Sequence, residues 1–424
     1  MEVLTTTAPF RCIFQAGVRD ESNQVLGGTE VLHLVPHGGR LFCSLSYKLN
    51  AYLPEDPQVG AQIIVLDRPD GHWRLVHDYE RAHWRVTLES VTFTEDGFGR
   101  KLAAPVPLLL AAPSDSRGTV YVDSLDDGTG TWIRTHLGSG SSVASIRSFF
   151  VYRDKVTGLE RVFAGTSPLG IFSGTYDAEA PGKIRWEDKP EMAGYTRRPM
   201  AFTECNDRLY VSIKPDIYRR VDGEIPRWEK VYTIPVPLIV PSSGLRGLTS
   251  VPGPSGSGQV LLAALEGDRC RMVRIDPEDD FRETVELEVL DFLGEQWGQR
   301  PTYGVVAYDD FTPVADPVTD QMLLFTGLSA TYSTQLDTHP ADAWVRDAWY
   351  LIRHPDGQRY DLRRIESPDM QPMPELIAAR SIAVSPFEPG MLYFGGYDPN
   401  AKPCRQTAWA FSASIEAALA PESR

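Results

Sequence analysis

The chain has 424 residues, 57 acidic against 42 basic, a formal net charge of −15 at pH 7, and 42% hydrophobic content. That balance lacks the basic footprint of a nucleic-acid binder, and no run of 18 apolar residues offers a membrane-spanning helix. Five scattered cysteines (Cys12, Cys43, Cys205, Cys270 and Cys404) include no CxxC pair, which argues against a thiolate metal cluster and for a reducing, cytoplasmic setting.

No basic-then-apolar signal segment opens the chain. The first apolar stretch is residues 10–15, Phe10-Arg11-Cys12-Ile13-Phe14-Gln15, which reads as a strand. Seven units follow, at residues 29–79, 86–137, 145–189, 198–233, 246–289, 303–365 and 380–411. Most carry a turn followed by a short aromatic or charged strand. Examples are Asp70-Gly71-His72-Trp73, Gly130-Thr131-Trp132, Lys183-Ile184-Arg185-Trp186 and Pro226-Arg227-Trp228, with looser copies at 279–285 and 355–362. Periods of this size mark a repeat array. The unit at 198–233 divides into four short strands separated by turn residues, the pattern of a propeller blade.

The last unit supplies only three good strands, at 381–384, 391–394 and 407–411, before a short helix at 414–419. The strand at 10–15 is therefore expected to complete it and close the ring, which removes the exposed edges of an open array. The fold class expected is all-β: a single seven-bladed β-propeller of four-stranded antiparallel blades. Gly, Pro and Ser at 252–258 read as a hairpin loop rather than a domain linker.

Ser124-Leu125-Asp126-Asp127-Gly128-Thr129-Gly130-Thr131-Trp132 resembles the Asp-box of sialidase-type propellers, with one inserted residue. The resemblance covers nine residues and implies a structural turn between outer strands of a propeller blade. It carries no active-site residue with it.

Propeller sites form where the innermost strands begin. The starts align as Glu30, Glu89, Arg147, Arg198, Arg246, Tyr303 and Arg380. Four arginines in an acidic protein make an anion pocket, because the guanidinium fork matches carboxylate, sulfate or phosphate. Glu30 and Glu89 would supply an acid and a base, Tyr303 a proton, and Tyr303 or His83 the base if the reaction is an elimination. Tyr47, Lys214 and Tyr397, at the ends of second strands, add candidate binding groups, as does Glu266. In the competing structural reading the arginines pair with Glu30, Glu89 and carbonyls to lock neighbouring blades. His33 reads as a packed strand residue, Asp309-Asp310 as solvated turn carboxylates, and Trp73, Trp132, Trp186 and Trp228 as inter-blade core. The eight histidines give no set converging from inner strands, so neither metal nor cofactor is expected. The function expected is a glycoside hydrolase or lyase acting on an acidic sugar, its ligand a small-molecule or oligosaccharide anion, with no nucleic-acid or membrane partner. The alternative is a non-catalytic propeller that binds a protein or glycan through the same face.

Overall fold

The computed structural model describes residues 10–47, 60–140, 142–194, 198–235, 244–254, 256–333, 343–365, 376–400 and 406–421. Nearly all of the regular structure is β, in consecutive four-stranded antiparallel sheets. The first contains Glu30–His37, Arg40–Ser46, Gln62–Leu66 and Arg74–Asp78, each paired with the next. Sheets of the same design start at His83–Glu95, Ser145–Arg153, Pro199–Cys205 and Leu245–Pro252. Position within a sheet explains composition. Every residue of Gln62–Leu66 is buried, whereas Arg74–Asp78, the fourth strand, is half-buried or exposed throughout. In this sheet the third strand therefore reads as a continuous apolar run and the fourth as a mixed one.

The cores lie between successive sheets. Val91, Phe93 and Leu110 pack with Ile146, Phe149 and Val162; Leu262 and Met272 pack with Val306, Leu328 and Leu351. Each fully buried Leu, Val or Phe stabilises by roughly 1.5–3 kcal/mol, so the sheets are held by their contact faces rather than by connecting loops. The strand Arg11–Gln15 pairs antiparallel with Trp409–Ser414. Tyr393 and Ala410 of that last sheet pack on Val31, Leu41 and Leu45 of the first.

Three local features set the positions of side chains near the sheet starts. First, the opening strands carry register shifts within a few residues of their starts: Val31/His33, His83/Arg85, Ile146/Phe149, Pro199/Ala201, Arg246/Thr249 and Ala379/Ser381. A bulge turns side chains that regular alternation would hide. Second, the unit at 303–365 has a divided first strand. Tyr303–Val306 and Thr312–Ala315 both pair with Met322–Thr331, and the segment between them carries Tyr308, Asp309 and Asp310. Third, Gly247 has φ +57, and a Cβ there would lie 2.5 Å from the Ala307 Cβ. Only glycine lets this bulge approach the divided strand so closely.

Some boundaries differ from those read in the sequence. The opening strand of the second unit begins at His83, so Glu89 sits at its middle rather than its start. The sequence at 48–61 and at 328–344 reads as two long loops; residues 328–331 instead continue the strand Met322–Thr331, and residues 48–59 and 334–342 lie outside the described residues. A helix, Val289–Trp297, follows the fifth sheet. It buries Val289, Leu290 and Leu293 and ends on Gly298 in the left-handed conformation, a usual C-terminal stop. The short C-terminal helix, Ile415–Leu419, is capped by Ser414. No helix among the described residues is long and apolar enough to cross a membrane.

Candidate functional site

The opening strands converge on one cavity of about 590 Å³. Its lining includes His33, Glu89, Arg147, Ser148, Asp309 and Asp310, with apolar walls from residues such as Phe149, Phe202 and Phe311. Pro36, Pro313 and Val384, toward the strand ends, are exposed, whereas Glu30, at a strand start, is fully buried.

At the strand-start side most of the charge is paired. Glu30 accepts from Arg85 Nη2 at 2.9 Å and from Arg380 Nη1 at 3.3 Å. Arg380 also reaches Asp309 Oδ2 at 3.2 Å and lies 4.8 Å from the centre of the Tyr308 ring. Tyr308 shares hydrogen bonds with Ser329 and, at 3.2 Å, with the Tyr397 hydroxyl. In a second knot, Glu266 accepts from Arg246 Nε and from the Tyr303 hydroxyl, each at 2.5 Å, while Arg246 also donates to the Tyr308 carbonyl at 2.8 Å. Burial alone would disfavour the charged forms, but the pairing outweighs it. Asp309 is held well below the usual carboxylate range by Arg380, His33, Arg147 and Arg246, and Arg380 is held above the usual guanidinium range by Asp309 and Glu30.

Arg147 stands apart. It is 5% exposed, much as Arg380 is at 6%, yet its Nε and Nη1 are buried without a hydrogen-bond partner. Burial, followed by Arg85 and Arg198 nearby, pushes its pKa well down despite Asp309. Ser148 Oγ and His33 Nε2 are also buried and unpartnered. His33 is neutral, its pKa lowered to about 4 by burial against the opposing field of Asp309. Glu89 is half-buried and accepts the Phe149 N–H at 3.0 Å. Burial, with Asp310 and Asp309 adding to it, raises its carboxyl to about 8. At the exposed rim, crowding by protein and the ionised Asp309 lift Asp310 to about 7. Glu89 is thus protonated at neutral pH while Asp309 is not.

The residues singled out in the sequence divide accordingly. Glu30, Arg246, Tyr303, Arg380 and Tyr397 meet in the paired network, and Glu89 and Arg147 line the cavity. Arg198 is exposed just before its strand, and burial of its surroundings with the charges of Arg85 and Arg246 lowers it to about 10. His83 is elsewhere: it lines a separate cleft of about 350 Å³ with Tyr79, Asp123 and Arg134, 3.6 Å from Asp115 Oδ2. The strand beginning at His83 turns it away, and the bulge after it sends Arg85 to Glu30 instead. The backbone N–H of Tyr47 donates to the Trp84 carbonyl, and its hydroxyl lies 2.3 Å from where a Cβ on Gly27 would be. Lys214 has positive φ, and its carbonyl accepts from Leu245. Neither lines the cavity. Arg85 and Ser148 escaped the sequence reading, although Arg85 stands two residues after a strand start. Asp309, Asp310 and His33 were read as ordinary.

No family model matches the chain, and no curated protein matches it. Among solved structures it is similar to the Penicillium chrysogenum α-L-arabinanase complexed with arabinobiose, at 12% identity and TM-score 0.48 over 98% of this chain and 100% of that one. It is also similar to the NanB sialidase of Streptococcus pneumoniae, at 11% identity and TM-score 0.45 over 97% and 71%. A third likeness is Sqt1 of Saccharomyces cerevisiae, at 9% identity and TM-score 0.45 over 90% and 83%. At these identities and scores the likenesses assign no activity to this chain.

Proposed function

We propose that this chain is a seven-bladed β-propeller, closed by its N-terminal strand, that hydrolyses a sugar bearing a carboxylate in the axial cavity. The observation that carries the reading is Arg147: a buried guanidinium whose Nε and Nη1 find no hydrogen-bond partner among the described residues, facing the same cavity as a glutamic acid that is protonated at neutral pH. Buried charges are normally paired, so an unpaired one in a cavity is what an anionic ligand would complete. Arg198 adds positive field.

Two carboxyls pushed to opposite protonation states are the acid–base signature of glycoside cleavage. Glu89 donates its proton to the departing glycosidic oxygen. Asp309, held ionised, stabilises the positive charge that develops on the sugar ring. A water adds its oxygen to the anomeric carbon and yields its proton to Asp310, at the solvent side of the cavity. Tyr303, directed to Glu266, orients Arg246 rather than the sugar. The free thiols Cys12, Cys43, Cys205 and Cys270 fit a cytoplasmic setting.

A second reading, a non-catalytic propeller that binds a protein or glycan partner, is favoured by the pairing of Arg380 with Glu30 and Asp309 and of Arg246 with Glu266. A panel of uronate- and sialate-containing oligosaccharides separates the two. The enzyme reading expects turnover by the wild type and a fall in kcat of about 10²–10⁴ in Glu89→Gln. Absence of turnover on every acidic substrate, or a fully active Glu89→Gln, sinks it.

A further inference from the structure

We propose that Arg147, Ser148 and His33 form an oxyanion subsite that inorganic phosphate or sulfate also occupies, so that these ions stabilise the protein and compete with its substrate; the competition rests on the hydrolase reading, and the binding does not. All three side chains line the same cavity, and each has a buried polar atom with no protein partner. The register shift between Ile146 and Phe149 brings Arg147 and Ser148 to it as consecutive residues.

Apart from Asp310 at the exposed rim, the carboxylates nearest the cavity are committed elsewhere. Asp309 is engaged by Arg380, Glu30 by Arg85 and Arg380, and Glu266 by Arg246 and Tyr303. Glu89 accepts the Phe149 N–H and is neutral at pH 7. Arg147 is left among Arg85, Arg198 and Arg380, with Asp309 the only opposing charge among its main influences. An oxyanion there would accept from the Arg147 fork and the Ser148 hydroxyl, and from His33 in the tautomer that carries hydrogen on Nε2. Carboxylate, phosphate and sulfate all present adjacent oxygens that a guanidinium grips. A buried cation without a counter-ion disfavours the folded state. Whatever neutralises it in the folded state alone stabilises the protein by mass action.

The test is thermal melting of the full chain at constant ionic strength, with sodium chloride replaced stepwise by sodium phosphate, sodium sulfate or sodium glucuronate. The wild type is expected to show a saturable rise of about 3 °C with each oxyanion. Arg147→Met should keep only the unsaturable drift that excluded salts give any protein, and should melt in chloride at or above the wild type. Ser148→Ala should keep the rise with a midpoint about tenfold weaker. That variant also preserves the test if Arg147→Met does not fold. The proposal is overturned if no wild-type rise saturates, if Arg147→Met or Ser148→Ala responds like the wild type, or if glucuronate alone acts. A saturable rise without turnover of any acidic oligosaccharide would sink the hydrolase reading and leave the subsite standing.

Discussion

Arg380 and Arg147 occupy matching places, the third residue of an opening strand beside a register shift, and they are almost equally buried. Arg380 is gripped by Glu30 and Asp309, with only its Nε left over; among the described residues Arg147 has two buried nitrogens, Nε and Nη1, without a partner. Repetition of the fold thus put cations at equivalent points, and the carboxylates opposite them decide which became structure and which became a site. On one side of the cavity the cations are paired with carboxylates, although Arg85 Nε and Arg380 Nε find no partner, and the worth of that network is measured by breaking it. On the other side it is incomplete, and its meaning is measured by completing it.

The sharpest contrast is in stability. Glu30→Gln removes the carboxylate shared by Arg85 and Arg380 and leaves buried charge uncompensated, so it should cost about 3–5 kcal/mol. Arg147→Met removes a buried charge that makes no ion pair among the described residues and should be neutral or stabilising by about 1–4 kcal/mol. Urea denaturation of both variants at pH 7 checks the pair. Equal losses would mean that Arg147 is as structural as Arg380, and the division of the cavity would fail.

Next in size is the pH dependence contributed by Glu89. Its carboxyl titrates near 8 in the folded chain, against 4.5 for an ordinary glutamate. Between those values the folded chain keeps a proton that the unfolded chain has released. Stability therefore falls as pH rises through that window, by up to about 1.4 kcal/mol per pH unit. Asp310, raised to about 7, acts in the same sense, while Asp309, lowered, has its effect below pH 4 and does not interfere. Glu89→Gln should flatten the decline of the urea midpoint between about pH 5 and pH 8. An unchanged slope would show that Glu89 does not hold its proton.

The sheets themselves were legible from turn spacing and from apolar runs such as Gln62-Ile63-Ile64-Val65-Leu66, because local chemistry specifies both. The strand at 10–15 could be matched to the last unit because that unit lacked a fourth strand. The inward arginines could be read because each recurs just before a small residue or Pro. Their division into paired and unpaired was not legible, since it depends on contacts far apart in the chain, such as Arg380 with Glu30 and Arg246 with Glu266. Asp309 and Asp310 looked like turn carboxylates because the interruption between Val306 and Thr312 leaves no local signature beyond the two acids. His83 was misplaced because a strand start displaced by six residues turns a side chain out of the cavity.

The smallest effect belongs to the rim. Asp127, in the turn between Thr119–Asp126 and Thr131–Ser139, takes Arg40 Nη2 at 2.6 Å and His37 Nε2 at 3.0 Å, and His37 Nδ1 meets Ser90 Oγ at 2.8 Å. This clamp joins the first two sheets, but Asp127 is 43% exposed, and exposed ion pairs contribute little. The turn is held by its neighbour, since Asp126 accepts from the Gly128 N–H and the Thr129 hydroxyl. Asp127→Ala should therefore cost about 0.2–1 kcal/mol by urea denaturation and leave the oxyanion-dependent melting unchanged. Were this variant to weaken the response to phosphate, the rim and the cavity would be coupled through His37 and Ser90. The unpaired state of Arg147 would then depend on how the first two sheets are clamped, and not on its immediate neighbours alone.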